Sequence, residues 1–303
     1  LSKLALDGVI AYPVTPFDPL DGGVDTVRLA ALVDRLVDSG VHAVAPLGST
    51  GESAYLDDAE WRTAAEAAIG AVAGRVPTVV GIAELTTRGA VERARFAERA
   101  GADAVMVLPL SYWRLTEREV ERHFTEVADA VGIEVMVYNN PATAGIDLSP
   151  EQLVGLVESV ENITMVKESS GDLQRMHRLA QLSGGELPFY NGSNPLALPA
   201  FVAGAAGWCT AAPCLIPELV LALHRAVRAG ELATARELFA RQLPLLQFIV
   251  SGGLPTTVKA GLALRDFPAG TPRLPLLPLE ATRSEQLTAI LREIDEAGQP
   301  AAA

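Results

Sequence analysis

The stretch Ile163-Thr164-Met165-Val166-Lys167, followed by Glu168-Ser169-Ser170-Gly171-Asp172, is where this chain is most legible. A short apolar, β-branched run reads as a strand covered on both faces, and this one stops on a lysine. Lysine is scarce: Lys3, Lys167 and Lys259 are the only three in 303 residues, and arginine supplies the other positive charge. Apolar surroundings penalise the ammonium form, and the neutral amine is the form that attacks a carbonyl to give a Schiff base. The plain alternative is a strand-end lysine that snorkels to solvent or closes an ion pair.

Seven further runs share the character of Ile163 to Lys167: Gly8 to Pro13, Ala43 to Leu47, Thr78 to Ile82, Ala104 to Leu108, Glu134 to Tyr138, Pro188 to Asn191 and Gly207 to Thr210. Helical patterns lie between them. Thr26 to Ser39 puts Leu29, Leu32, Val33 and Leu36 on one face behind an Asp25 cap, and Thr116 with Glu119 has capping-box spacing. Ser149 caps the segment to Val157. Eight βα units in about two hundred residues predict a TIM (β/α)8 barrel. An open doubly wound sheet is the competing architecture. It would want a glycine-rich turn after the first strand, where Pro13-Val14-Thr15-Pro16-Phe17 stands instead. Beyond the eighth unit the pattern stays helical over Leu232 to Val250, Thr256 to Leu264 and Ser284 to Glu296. The chain therefore divides into a barrel over 1–229 and a C-terminal helical extension over 230–303, with Gly298 to Ala303 expected to be disordered.

Composition narrows the function. A chain 49% hydrophobic and 20% charged supports one large core. The net charge of −13 argues against nucleic acid, although a local site can still take an anion. Cys209 and Cys214 read as reduced core residues. The histidines His42, His123, His177 and His224 lack ligand spacing, so neither a metal nor a cofactor is expected. With no basic n-region at the start of the sequence and no membrane-length apolar run, no signal peptide and no membrane association are expected, and the protein reads as cytoplasmic.

Barrel chemistry gathers at the C-terminal ends of strands, and the unusual residues fall there. The second strand runs into Gly48-Ser49-Thr50-Gly51-Glu52, the fourth into Ser111-Tyr112-Trp113, the fifth into Tyr138-Asn139-Asn140-Pro141 and the sixth into Lys167. Gly48 to Glu52 reads as an anion-holding turn of backbone N–H groups and hydroxyls, or as an ordinary βα turn. Tyr138 reads as a proton shuttle, or as a buried phenol bonded to backbone. Tyr112 has an interface aromatic as its alternative. Glu52 and Glu168 read as structural.

These three segments, Gly48 to Glu52, Tyr138 to Pro141 and Lys167 to Asp172, resemble in order and position the signatures of the dihydrodipicolinate synthase/N-acetylneuraminate lyase family. The resemblance runs from Gly8-Val9-Ile10 to the C-terminal helices. It implies a homotetrameric lyase of the class I aldolase type, in which Lys167 forms a Schiff base with pyruvate or another 2-oxo acid and Tyr138 moves protons. Ser49 and Thr50, with the Gly48 turn, would hold the substrate carboxylate. Tyr112, or Ser111, would complete a hydroxyl relay from a neighbouring subunit. Ser169 and Gly192 would border the substrate, and the carbonyl of Cys209 would face the lysine.

Departures from the family pattern bear on the second substrate. Thr143 stands where the synthases carry an arginine, and Ser193-Asn194-Pro195 follows Gly192 where the sialic acid lyases carry acidic residues. Thr143 and Asn194 would then border a pocket that is polar but uncharged. A 2-keto-3-deoxy (sugar) acid, cleaved to or built from pyruvate and an aldehyde, fits these residues best. The rival readings are a dehydratase or deaminase using the same imine, a true dihydrodipicolinate synthase, a phosphate-substrate aldolase, and a non-catalytic keto-acid-binding barrel.

Overall fold

The computed structural model describes Leu4 and residues 6–297, so Lys3 and the expected disordered tail lie outside the described residues. The strands are β1 (Gly8–Ala11), β2 (Ala43–Val44), β3 (Val79–Glu84), β4 (Ala104–Pro109), β5 (Glu134–Asn139), β6 (Ile163–Glu168), β7 (Phe189–Asn191) and β8 (Gly207–Thr210). They pair in parallel in the order β2-β1-β8-β7-β6-β5-β4-β3. A parallel bridge from Val44 to Thr78 closes the ring. The chain is a (β/α)8 barrel with a C-terminal set of helices, as the alternation of buried runs and amphipathic segments predicts.

Local chemistry explains where elements begin and end. Asp25 accepts from the Arg28 N–H and starts the helix Thr26–Asp38, whose buried face is Leu29, Leu32, Val33 and Leu36. Thr116 with Glu119, and Ser149 with Gln152, form reciprocal capping boxes at the starts of Glu117–Ala128 and Pro150–Ser159. β1 stops two residues before Pro13, which has no N–H for a ladder. β2 is shorter than the run Ala43 to Leu47, because Pro46 interrupts it and Leu47 turns to a left-handed φ of 61°.

That turn places the second βα loop across β3, and the approach is close. A Cβ at Gly81 would lie 2.2 Å from the Leu47 carbonyl oxygen and 2.7 Å from the Gly48 nitrogen. Only glycine lets the two backbones meet there.

Past the eighth barrel helix, Pro217–Arg228, come Leu232–Gly252, Leu254–Leu264 and Ala281–Glu296. Leu254–Leu264 begins two residues before its predicted start, with Pro255 in its first turn where a missing N–H costs nothing. This helix packs against the turn Ser49–Gly51 at the barrel mouth, so the extension forms part of the site's surroundings. Among the described residues, no helix is long and apolar enough to cross a membrane.

Gly81→Ala forces its methyl into the Leu47 carbonyl, where backbone and not a flexible side chain must yield. We expect a loss of about 1–3 kcal/mol in unfolding free energy by denaturant titration.

Candidate active site

Tyr138 and Lys167 are register partners on adjacent parallel strands, and Lys167 is also paired with Tyr190 on β7. Register partners project to the same face, so β5 and β6 deliver phenol and amine together to the barrel interior. Lys167 is 4% exposed. Its Nζ lies 3.9 Å from the centre of the Tyr138 ring and 4.0 Å from the centre of the Tyr12 ring. The amine is held between two aromatic faces, a favourable setting for a cation. Among the described residues no carboxylate comes within 4.0 Å of it: Glu168 turns outward to Arg175, and Glu52 engages Lys259.

Two glycines clear the space. A Cβ at Gly192 would fall 1.7 Å from Ser169 Oγ and 2.9 Å from Lys167 Cε, and one at Gly48 would fall 2.8 Å from the Tyr12 ring. The glycine of the second loop thus makes room for the ring that covers the amine.

The two phenols are tuned in opposite directions. Burial alone would push Tyr138 up. The positive charge on Lys167 and the surrounding polar groups Ser49, Asn140 and Ser169 outweigh it, and the phenol sits below its ordinary range. Of those groups, Asn140 Nδ2 makes a hydrogen bond of good geometry, donating to the phenolic oxygen at 2.9 Å; Ser169 Oγ is buried with no such partner. Tyr12 is held well above its ordinary value by burial first and the Cys209 thiol next. Its hydroxyl donates to Met106 Sδ at 3.1 Å. Environments that drive two like groups apart assign them different roles: Tyr138 can give and take a proton, and Tyr12 stays neutral. Cys209 itself is buried, and burial pushes its thiol up.

The turn Ser49–Gly51 is one short 3₁₀ turn with Thr50 buried and Ser49 partly exposed. Thr15 Oγ1 donates to the Gly51 carbonyl at 2.6 Å. Glu52, with a left-handed φ of 58°, directs its carboxylate away from the amine. Its Oε1 lies 2.7 Å from Lys259 Nζ and its Oε2 accepts from the Arg273 N–H at 2.6 Å. Lys259 also donates to the Thr271 carbonyl and lies 3.9 Å from the Phe17 ring centre. Desolvation lowers the Lys259 amine to about 8 despite the neighbouring Glu52. Glu168 is likewise structural, accepting from Asn139 Nδ2 at 3.0 Å and from the Ser170 N–H at 2.6 Å.

A cavity of about 420 Å³ opens over this site. Gly48, Ser49, Glu52, Tyr138 and Thr143 line it, together with Leu47, Ile82, Met106, Leu108, Leu254 and Pro255. The expected polar pocket is therefore mostly apolar, because β3, β4 and the extension turn aliphatic side chains into it. Glu52 is the one charged side chain among the lining residues, and it pairs with Lys259. Tyr138 lines this cavity while Lys167 does not reach its wall; a larger depression of about 760 Å³, bordered by Leu85, Arg118 and His123, is lined by neither of them.

The structure brings Lys167, Tyr138, Ser49, Gly48, Ser169, Gly192 and Cys209 to one end of the barrel, with Thr143 exposed at its rim. Asn194 is buried, and its Oδ1 accepts from the Trp208 indole N–H at 3.3 Å. Tyr112 is 94% exposed beside Trp113 at 76% and lies away from the lysine of its own chain, so a role there requires another copy. Sequence reasoning missed Tyr12 and the wall made by Gly253, Leu254 and Pro255. An aromatic at the C-terminal end of the first strand was the available signal for Tyr12.

With this geometry in view, comparison with known proteins is informative. The model of the dihydrodipicolinate synthetase family matches residues 5–294. The 4-hydroxy-tetrahydrodipicolinate synthase of Methanopyrus kandleri is 33% identical over 293 residues, covering 97% of each chain. A crystal structure from Pseudomonas aeruginosa, described provisionally as a dihydrodipicolinate synthetase, superposes with a TM-score of 0.94 at 55% identity, covering 96% of this chain and 100% of that one. The 4-hydroxy-tetrahydrodipicolinate synthase of Methylacidiphilum fumariolicum SolV gives 0.92 at 29% identity, covering 96% of both.

The buried Glu52–Lys259 pair ties the extension to the second loop. Lys259→Met leaves Glu52 buried and unpaired and is expected to cost about 3–5 kcal/mol in denaturant unfolding, with most of the loss recovered in Glu52→Gln/Lys259→Met.

Proposed function

The chain belongs to the dihydrodipicolinate synthetase family and is a lyase of the class I aldolase type; from that premise we propose that Lys167 forms a Schiff base with pyruvate or a close 2-oxo acid, in making or cleaving a 2-keto-3-deoxy acid. The observation that carries this reading is the Lys167 amine, buried between two rings beside a phenol whose proton is loosened. In the proposed reaction the neutral amine attacks the substrate carbonyl. The backbone N–H groups and hydroxyls of Gly48, Ser49 and Thr50 hold the 2-oxo acid carboxylate. Tyr138 carries protons to and from the carbinolamine and the bond being broken. Gly192 and Ser169 leave and shape the room beside the new C=N bond.

The second substrate is read from the cavity wall. Aspartate semialdehyde brings its own carboxylate, and no cationic side chain among the lining residues meets it, with Thr143 at the rim. A buried charge without a partner costs about 3 kcal/mol or more, over a hundredfold in rate. The names of the curated relatives favour the opposite reading, true 4-hydroxy-tetrahydrodipicolinate synthase. The aliphatic lining favours a second substrate of modest size with few hydroxyls. We further read the protein as cytoplasmic and as an assembly of several copies, a homotetramer, which the exposed Tyr112 and Trp113 support.

Steady-state comparison decides between the readings. We expect the specificity constant for a 2-keto-3-deoxy acid to exceed that for pyruvate plus aspartate semialdehyde, and that for a sialic acid, by at least about tenfold. Aspartate semialdehyde winning by that margin would establish the synthase reading instead.

A further inference from the structure

Among the described residues the nitrogen of Lys167 has no carboxylate partner, yet Schiff-base chemistry asks it to carry a positive charge. Attack forms the C–N bond and breaks the C–O bond of the 2-oxo acid. One amine proton and one proton delivered by Tyr138 leave with the carbonyl oxygen as water; the nitrogen of the resulting iminium is cationic, and Tyr138 is left as a phenolate until it regains a proton. In most buried sites a carboxylate would balance that charge. Here Glu168 and Glu52, the carboxylates nearest in sequence to the lysine and to the loop, are turned to Arg175 and Lys259. What faces the nitrogen instead is the pair of aromatic rings, at 3.9 and 4.0 Å.

Resting on the Schiff-base reading above, we infer that Tyr12 is a further catalytic residue, whose ring face, and not its hydroxyl, stabilises the cationic iminium on the side away from Tyr138. Three observations separate its ring from its hydroxyl. The hydroxyl is spent on the Met106 sulfur, a weak acceptor, at 3.1 Å. Burial and the Cys209 thiol keep that phenol protonated, so it does not relay protons as Tyr138 can. The ring is 2% exposed, with Gly48 shaped to admit it, and a cation–π contact is strongest where water is excluded. Tyr138 is then both shuttle and face, and Tyr12 is face alone.

The test uses the full-length protein with pyruvate as probe and borohydride as trap. The half-saturating pyruvate concentration for reduced adduct is read by intact mass. Position 12 is varied through Tyr12→Phe, Tyr12→Leu and phenylalanines bearing one, two or three ring fluorines, which progressively flatten the negative face at nearly constant shape. We expect the half-saturating concentration to rise stepwise with fluorination, and Tyr12→Leu to need roughly thirtyfold more pyruvate than Tyr12→Phe. A packing role would leave the fluorinated series flat. If Tyr12→Leu does not fold, the near-isosteric fluorinated series decides alone. An adduct in the wild type with a flat series overturns the role of Tyr12 and leaves the Schiff base standing. No adduct in the wild type overturns both.

Discussion

A nitrogen that must be cationic inside a barrel mouth needs something to face it, and here it faces two aromatic rings. Much of the local structure serves that arrangement. The β5–β6 register puts Tyr138 beside Lys167. The end of β1 brings Tyr12 in from the other side of the barrel, with Pro13 closing the strand immediately after it. Gly48 and Gly192 are the two positions where a single methyl group would collide with the ring or with the lysine stem. The second loop makes room for the Tyr12 ring through Gly48, and the same turn carries the hydroxyls of Ser49 and Thr50.

The two described lysines show why placement outranks basicity. Lys259 is buried, its amine is lowered to about 8, and by acidity alone it is the more reactive candidate. Yet Glu52, the Thr271 carbonyl and the Phe17 ring surround its nitrogen, leaving no face for a substrate. Among the described residues Lys167 has rings but neither a carboxylate nor a carbonyl as partner, and it sits beside the phenol that can move its protons. A strained residue joins the two lysine surroundings: Glu52, at a left-handed φ, ends the second loop and anchors it to the extension. The C-terminal helices thus hold the loop from behind while Leu254 and Pro255 wall the cavity in front.

The barrel was legible because parallel strands covered on both faces leave continuous apolar runs, and every one of the eight runs overlaps a strand. Boundaries moved where backbone chemistry intervened, at Pro13 and at Leu47. Lys167 and Tyr138 could be placed together because neighbouring strands share a register. Tyr12 could not, since β1 and β6 are separated around the ring by β8 and β7, and no local pattern encodes a contact across a barrel. The contact of Asn194 with Trp208 was not legible either, since closeness in sequence to the end of β7 does not fix direction. The cavity's apolar character was hidden because its wall is assembled from elements far apart in sequence, β3, β4 and the helix Leu254–Leu264.

The central claim is that Lys167, and neither of the other lysines, is the nucleophile. Reduction of the pyruvate-treated protein with borohydride, followed by peptide mapping, measures this directly. The account predicts a single reduced pyruvyl group on the peptide containing Lys167. A label on Lys259, the amine with the lowered basicity, or on Lys3, would contradict it.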